Sequence, residues 1–154
     1  MPEQNPEILL VDDNARDLDL TLRALRAGNL TGQVIVARDG EEALDYVFCR
    51  GLFTQRSFED QPRLVLLDLK LPKVDGLEVL RELKGNAATR PIPVVILTSS
   101  REQQDLVRSY NLGVNAFIQK PVEFAKFRET VLQMGLFWLG INEPPPKEAF
   151  RERK

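Results

Sequence analysis

The sequence has no histidine and one cysteine, Cys49, in 154 residues. Without histidine there is no Ser-His-Asp or Cys-His nucleophile system and no His-ligated zinc or haem, and the chain cannot carry a phosphohistidine of its own. A single thiol makes neither an internal disulfide nor a thiolate zinc cluster, which points to a reducing compartment. Charge of either sign is not in excess: 23 Asp+Glu face 21 Lys+Arg, a net charge of −2, which argues against coating nucleic acid or an anionic membrane. Long hydrophobic runs are missing too. The longest charge-free apolar stretch, 130–142, has 13 residues, and a membrane-spanning helix needs about 20. The first seven residues hold Glu3 and Glu7 and no apolar core of a signal peptide, so the expected setting is the cytoplasm.

What is present is a globular composition of one-domain length, 43% hydrophobic and 29% charged. Five short apolar runs stand out: 8–11, 34–37, 64–67, 94–97 and 116–118. They are β-branched or leucine-rich and nearly continuous, as strands buried on both faces must be. Between them the spacing turns helical. Leu18, Leu22 and Leu25 share a face that stops at Gly28; Asp39 and Glu42 start a helix carrying Ala43, Leu44, Val47 and Phe48 inward. Leu77, Leu80 and Leu83 define a third helix, and Ser100 with Gln103 opens a fourth carrying Leu106, Val107 and Tyr110. Phe124, Phe127, Val131 and Met134 form the stripe of a fifth. The alternation predicts an α/β doubly wound parallel sheet with helices on both faces. Residues 1–142 make one domain, 50–63 a long loop suited to interaction, and 143–154 an extended, charged, solvated tail after Pro144-Pro145-Pro146.

In such a sheet, function gathers at the carboxyl ends of the strands. There stand Asp12-Asp13 after the first run, Asp68 after the third, Thr98 after the fourth and Lys120-Pro121 after the fifth. Single acids at strand ends serve as helix caps. A set of three with a lysine and a hydroxyl asks for another reason, because two carboxylates about 4 Å apart repel by roughly 4 kcal/mol at an effective dielectric near 20. A hard divalent cation such as Mg²⁺, which prefers oxygen ligands, removes that repulsion.

The acidic pair Asp12-Asp13, the run Leu67-Asp68-Leu69-Lys70-Leu71-Pro72 with Asp75-Gly76, Thr98-Ser99 and Lys120-Pro121 resemble, in order, the receiver domain of bacterial two-component response regulators. The likeness extends from Ile8 to about Met134. It implies a flavodoxin-like five-stranded parallel sheet of order 2-1-3-4-5 with five helices. It also implies that Asp68 accepts a phosphoryl group from a sensor histidine kinase. Asp12, Asp13, Asp68 and the Lys70 carbonyl would hold Mg²⁺, Asp12 partly through water. Lys120 and Thr98 would contact phosphoryl oxygens. Thr98 and Phe117 would form the switch that alters the surface of the fourth helix, fifth strand and fifth helix, Phe117 standing where many relatives carry Tyr; as a residue it also reads as a plain core aromatic. Pro121 would follow a cis peptide, and Lys70 and Ser100 would tune phosphoryl lifetime. Such a protein is a phosphoacceptor in signalling rather than an enzyme with a separate substrate.

The long loop and the segment through Phe137, Trp138, Leu139 and Ile141 resemble the small regulators paired with phytochrome-type sensor kinases. That likeness implies homodimerisation through the C-terminal extension; packing against its own domain is the alternative. Cys49 reads as a small buried hydrophobe. Rival functions fit less well. A haloacid-dehalogenase-type phosphatase needs an acid two residues after the nucleophile, where Lys70 stands. Nucleotide-binding glycine motifs are absent, and some 20 residues after the fifth helix leave no room for a DNA-binding module. A scaffold acting without phosphorylation remains the alternative, and the complete set Asp12, Asp13, Asp68, Thr98 and Lys120 speaks against it.

Overall fold

The computed structural model describes residues 7–28 and 33–151; the first six residues, expected to form no signal peptide, and the last three residues of the expected tail lie outside them. Five strands appear where the apolar runs stand: β1 (Glu7–Val11), β2 (Gln33–Ala37), β3 (Leu64–Leu67), β4 (Val94–Thr98) and β5 (Ala116–Gln119). All pair in parallel, in the order β2-β1-β3-β4-β5. Five α-helices alternate with them: α1 (Ala15–Ala27), α2 (Gly40–Val47), α3 (Gly76–Gly85), α4 (Gln103–Asn111) and α5 (Phe124–Gly135).

The period-2 geometry of the strands divides the core in two. Ile8, Leu10, Leu64, Leu66, Val95 and Leu97 face α1 and α5 with Leu18, Leu25, Phe127 and Val131. Leu9, Val11, Val65, Leu67, Val94 and Ile96 face α2 and α3 with Leu44, Val79, Leu80 and Leu83. Helix starts are set by acids and amides whose side chains accept otherwise unpaired N–H groups: Asn14 takes the amide of Asp17 (3.0 Å), Asp39 that of Glu42 (2.7 Å) and Asp75 that of Glu78 (3.0 Å).

Three local expectations are corrected. On α4, Val107 and Tyr110 are exposed, and Ser109 is the buried residue; the inward phase runs through 105 and 109, with the Ser109 hydroxyl donating to the Asp105 carbonyl at 2.7 Å. Phe124 likewise lies on the solvent side of α5. The segment 143–151 is not a solvated tail. It folds back as a 3₁₀ turn, Lys147–Phe150, with Phe150 buried in the α2/α3 core. Lys147–Asp60 (2.8 Å) and Arg151–Glu59 (2.9 Å) ion pairs fasten it to the 50–63 loop. One aromatic ring buried among apolar side chains outweighs the solvation of the charges around it, which remain at the surface.

The long loop is itself folded. The Arg56 guanidinium lies 3.8 Å from the centroid of the Tyr46 ring and donates to the Tyr46 carbonyl, while Gln61 donates to the carbonyls of Val47 (2.9 Å) and Phe58 (2.8 Å). Cys49, two residues past α2, is left-handed (φ 57°) and half-buried.

Candidate phosphoacceptor site

Three strand ends meet at one pole. The β1 end supplies Asp12, the β3 end Asp68 and the β5 end Lys120, all buried. The Lys120 ammonium donates to Asp12 Oδ2 (2.8 Å), Asp68 Oδ2 (2.9 Å) and Asp17 Oδ2 (2.9 Å). An ammonium has three N–H bonds, and all three are engaged by carboxylates. Burial works against its charge, but the hydrogen bonds to Asp12 and Asp17 and the charges of Asp68 and Asp12 outweigh it, so Lys120 titrates above the usual lysine range. Burial pushes the Asp12 carboxyl up, against the opposing pull of Lys120 and of the Asn14 amide, which donates to Asp12 Oδ1 at 2.9 Å.

Close packing behind Asp68 holds it there. A Cβ on Gly76 would sit 2.2 Å from the Asp68 carbonyl oxygen and 2.5 Å from Leu69 Cα, so only glycine lets α3 start this near the β3 end. The intervening turn is braced against α2: the Gly40 amide donates to the Pro72 carbonyl (3.4 Å), and Lys73, left-handed at φ 67°, pairs with Asp39 at 3.6 Å.

The remaining site residues lie around this centre. Asp13 is exposed and lines a cleft of about 560 Å³ with Lys70, Asp75, Asp105 and Arg108. The Lys70 amide approaches Asp68 Oδ1 at 3.4 Å. Thr98 is buried; its hydroxyl accepts the Ser100 amide (3.2 Å), and its carbonyl accepts the Lys120 amide (2.7 Å). The Ser100 hydroxyl donates to Asp105 at 2.6 Å and accepts the Glu102 amide at 3.3 Å, linking the β4 end to α4 in place of the expected pairing with Gln103. Phe117 is half-buried against the α2/α3 core.

Two expectations fail. No peptide is cis among the described residues, so the bond before Pro121 is trans, the isomer favoured by about 0.5–1 kcal/mol for X–Pro; the direction of Lys120 is set by its three ion pairs. Leu139 is buried in its own α1/α5 core, with Trp138 half-buried against it, because the helix continues from α5 as a wider π turn, Leu136–Ile141. Phe137 and Ile141 remain exposed. Asp17 was missed from sequence. Its signal was an acid one turn beyond Asp13, in the first turn of the helix that covers the Lys120 side of the sheet.

Residues 8–132 match the family model described as the response regulator receiver domain. The chain belongs to that family. This receiver domain is 39% identical over 141 residues to the response regulator Rcp1 of Synechocystis sp., covering 89% of this chain and 92% of the relative. The crystal structure of the phosphorylated cyanobacterial phytochrome response regulator RcpA superposes with a TM-score of 0.86 at 38% identity, covering 92% of this chain and 99% of that one. The structure of the bacteriophytochrome response regulator AtBRR gives 0.72 at 58% identity, over 92% and 100%. Rcp1 has a solved Mn(2+)-bound form. The receiver domain is thus a two-component signalling module with the flavodoxin-like order predicted above, in a family that binds divalent metal.

The oxygen-only donor set fits such an ion. Among the described residues no three acidic or thiolate side chains form a ready-made cage, and Mg²⁺ does not ask for one: it keeps several waters and takes one or two carboxylates. Asp13, exposed on the cleft, and Asp68, with the Lys70 backbone beside it, are placed to serve.

Proposed function

We propose that Asp68 accepts a phosphoryl group from a phosphohistidine of a sensor histidine kinase. The observation that carries this reading is the buried Asp68 carboxylate 2.9 Å from the Lys120 ammonium at the carboxyl end of β3. An Asp68 oxygen forms a bond to phosphorus while the phosphorus–nitrogen bond of the donor breaks and the imidazole leaves, taking up a proton. Such a transfer asks for position and charge neutralisation. Lys120 offers its ammonium to a phosphoryl oxygen that gains charge, and the buried Thr98 hydroxyl stands ready to turn from the Ser100 amide toward another. Asp12, Asp13, Asp68 and the Lys70 carbonyl would hold Mg²⁺, which supplies charge neutralisation between carboxylate and phosphoryl group when bound.

Treatment with acetyl phosphate or a phosphohistidine donor and Mg²⁺ is expected to add one phosphoryl group, read by intact-mass analysis. The adduct should vanish without Mg²⁺ and in Asp68→Asn; an adduct that survives the substitution overturns the assignment and favours the unphosphorylated scaffold.

The phosphorylated form then signals through α4, β5 and α5, with Thr98 and Phe117 shifting together. The relatives' names support a phytochrome-type kinase as partner, and no described helix is long and apolar enough to cross a membrane, in keeping with a cytoplasmic relay. The exposed Phe137 and Ile141, flanked by Trp138, support a homodimer surface. Light scattering is expected to show a dimer that Phe137→Ser with Ile141→Ser converts to monomer; a wild-type monomer at all concentrations, with and without a phosphoryl mimic, counts against it.

A further inference from the structure

The three partners of Lys120 are not alike. The side chains of Asp12 and Asp68 are 6% and 9% exposed, walled in by the ends of β1 and β3, whereas that of Asp17 is 26% exposed. Asp17 thus holds the N–H on the more open side of the ammonium, the side from which an incoming phosphoryl group would reach it. Asp17 is itself held firmly. The Asp12 carboxylate accepts the Asn14 amide, the Asn14 side chain accepts the Asp17 amide, Asp17 accepts from Lys120, and Lys120 donates back to Asp12. This closed ring of four hydrogen bonds ties the first turn of α1 to the end of β5.

We propose that Asp17 is a positioning residue that competes with the phosphoryl group for Lys120, holding the outermost N–H of the ammonium until a phosphoryl oxygen displaces it. The inference deepens the proposed function and rests on it. The displaced carboxylate keeps its charge and turns toward solvent, so the exchange swaps one anionic acceptor for another, and no bond other than the hydrogen bond changes. Asp17 thereby sets how readily Lys120 is released to the phosphoryl group.

The test is calorimetric titration of the full chain, saturated with Mg²⁺, with beryllofluoride as phosphoryl mimic. Asp17→Asn removes the competing charge, and binding should tighten about fivefold, the size of one partly exposed ion pair. Asp17→Glu restores the competitor and should restore wild-type affinity. Asp19→Asn, two residues further along α1 and paired with Arg23 at 3.0 Å, removes an equal charge that does not touch Lys120 and should leave affinity unchanged. A residue that merely shapes the helix start would weaken binding when replaced, never tighten it. Unchanged or weaker binding in Asp17→Asn, or equal tightening in Asp19→Asn, overturns the proposal while leaving phosphorylation of Asp68 standing. A wild-type protein that does not bind beryllofluoride overturns both.

Discussion

Lys120 shows how one residue can hold the ends of several elements together. Three carboxylates around a single buried ammonium carry more negative than positive charge, and no strand or helix alone would gather them. Much of this was legible in the sequence, because Asp12 and Asp68 each directly follow an apolar run and Lys120 stands two positions after one. Asp17 was hidden, since an acid in the first turn of a helix reads as a response to the helix dipole, and only the tertiary path of α1 reveals its second partner. Gly76 belongs to the same scale. Its missing side chain is what permits contact between α3 and the Asp68 backbone. Gly76→Ala is expected to cost about 1–3 kcal/mol as an overpacked site and to slow phosphoryl uptake at Asp68. Urea unfolding and the intact-mass assay would check the two effects separately.

Among the elements, strand parity organises the site. Along β1, β3 and β5 the residues facing α1 and α5 are Leu10, Leu66 and Ile118, and two positions further on stand Asp12, Asp68 and Lys120. Thr98 has the opposite parity, in phase with Val94 and Ile96 on the α2/α3 side. The strands were legible because both-face burial demands continuous apolar runs. The face of α4 was not, because its short apolar content permits more than one rotation and the contact that decides it, Ser109, is polar.

The end of α3 carries its own fastening. The Lys84 ammonium donates to the carbonyls of Arg90 (2.9 Å) and Ile92 (2.7 Å) and to Asn115 Oδ1 (2.9 Å), joining α3 to the starts of β4 and β5. Burial, with the nearby Arg90 charge, lowers Lys84 from 10.5 to about 8. Between those values the unfolded chain binds the proton and the folded one does not, so this group's contribution to stability rises with pH across that window. Wild type should therefore gain stability relative to Lys84→Met as pH goes from 8 to 10.5. A difference between their urea midpoints that stays flat with pH would refute it.

Over the whole molecule, the sheet order and the two-sided core followed from the alternation of runs and amphipathic segments, whereas the return of the C-terminal segment did not. Three prolines followed by mixed charges read as solvated chain, and the single ring of Phe150 that reverses this has no periodic neighbours to announce it. Phe150→Ala is expected to destabilise the fold by about 3 kcal/mol, measured by chemical denaturation, and to release the Lys147–Asp60 and Arg151–Glu59 pairs with it.

That docking has a geometric consequence. Glu7, at the start of β1, lines one cleft together with Pro144, Lys147 and Phe150, at the amino-end pole of the parallel sheet, while Asp68 and Lys120 lie at the carboxyl-end pole. Both ends of the described chain therefore emerge on the side remote from the acidic centre. The described chain thus enters and leaves the fold without passing over the carboxyl-end pole, and the cleft beside Asp68 is bordered by loops that follow the strands, with α3 and α4, and not by either described end.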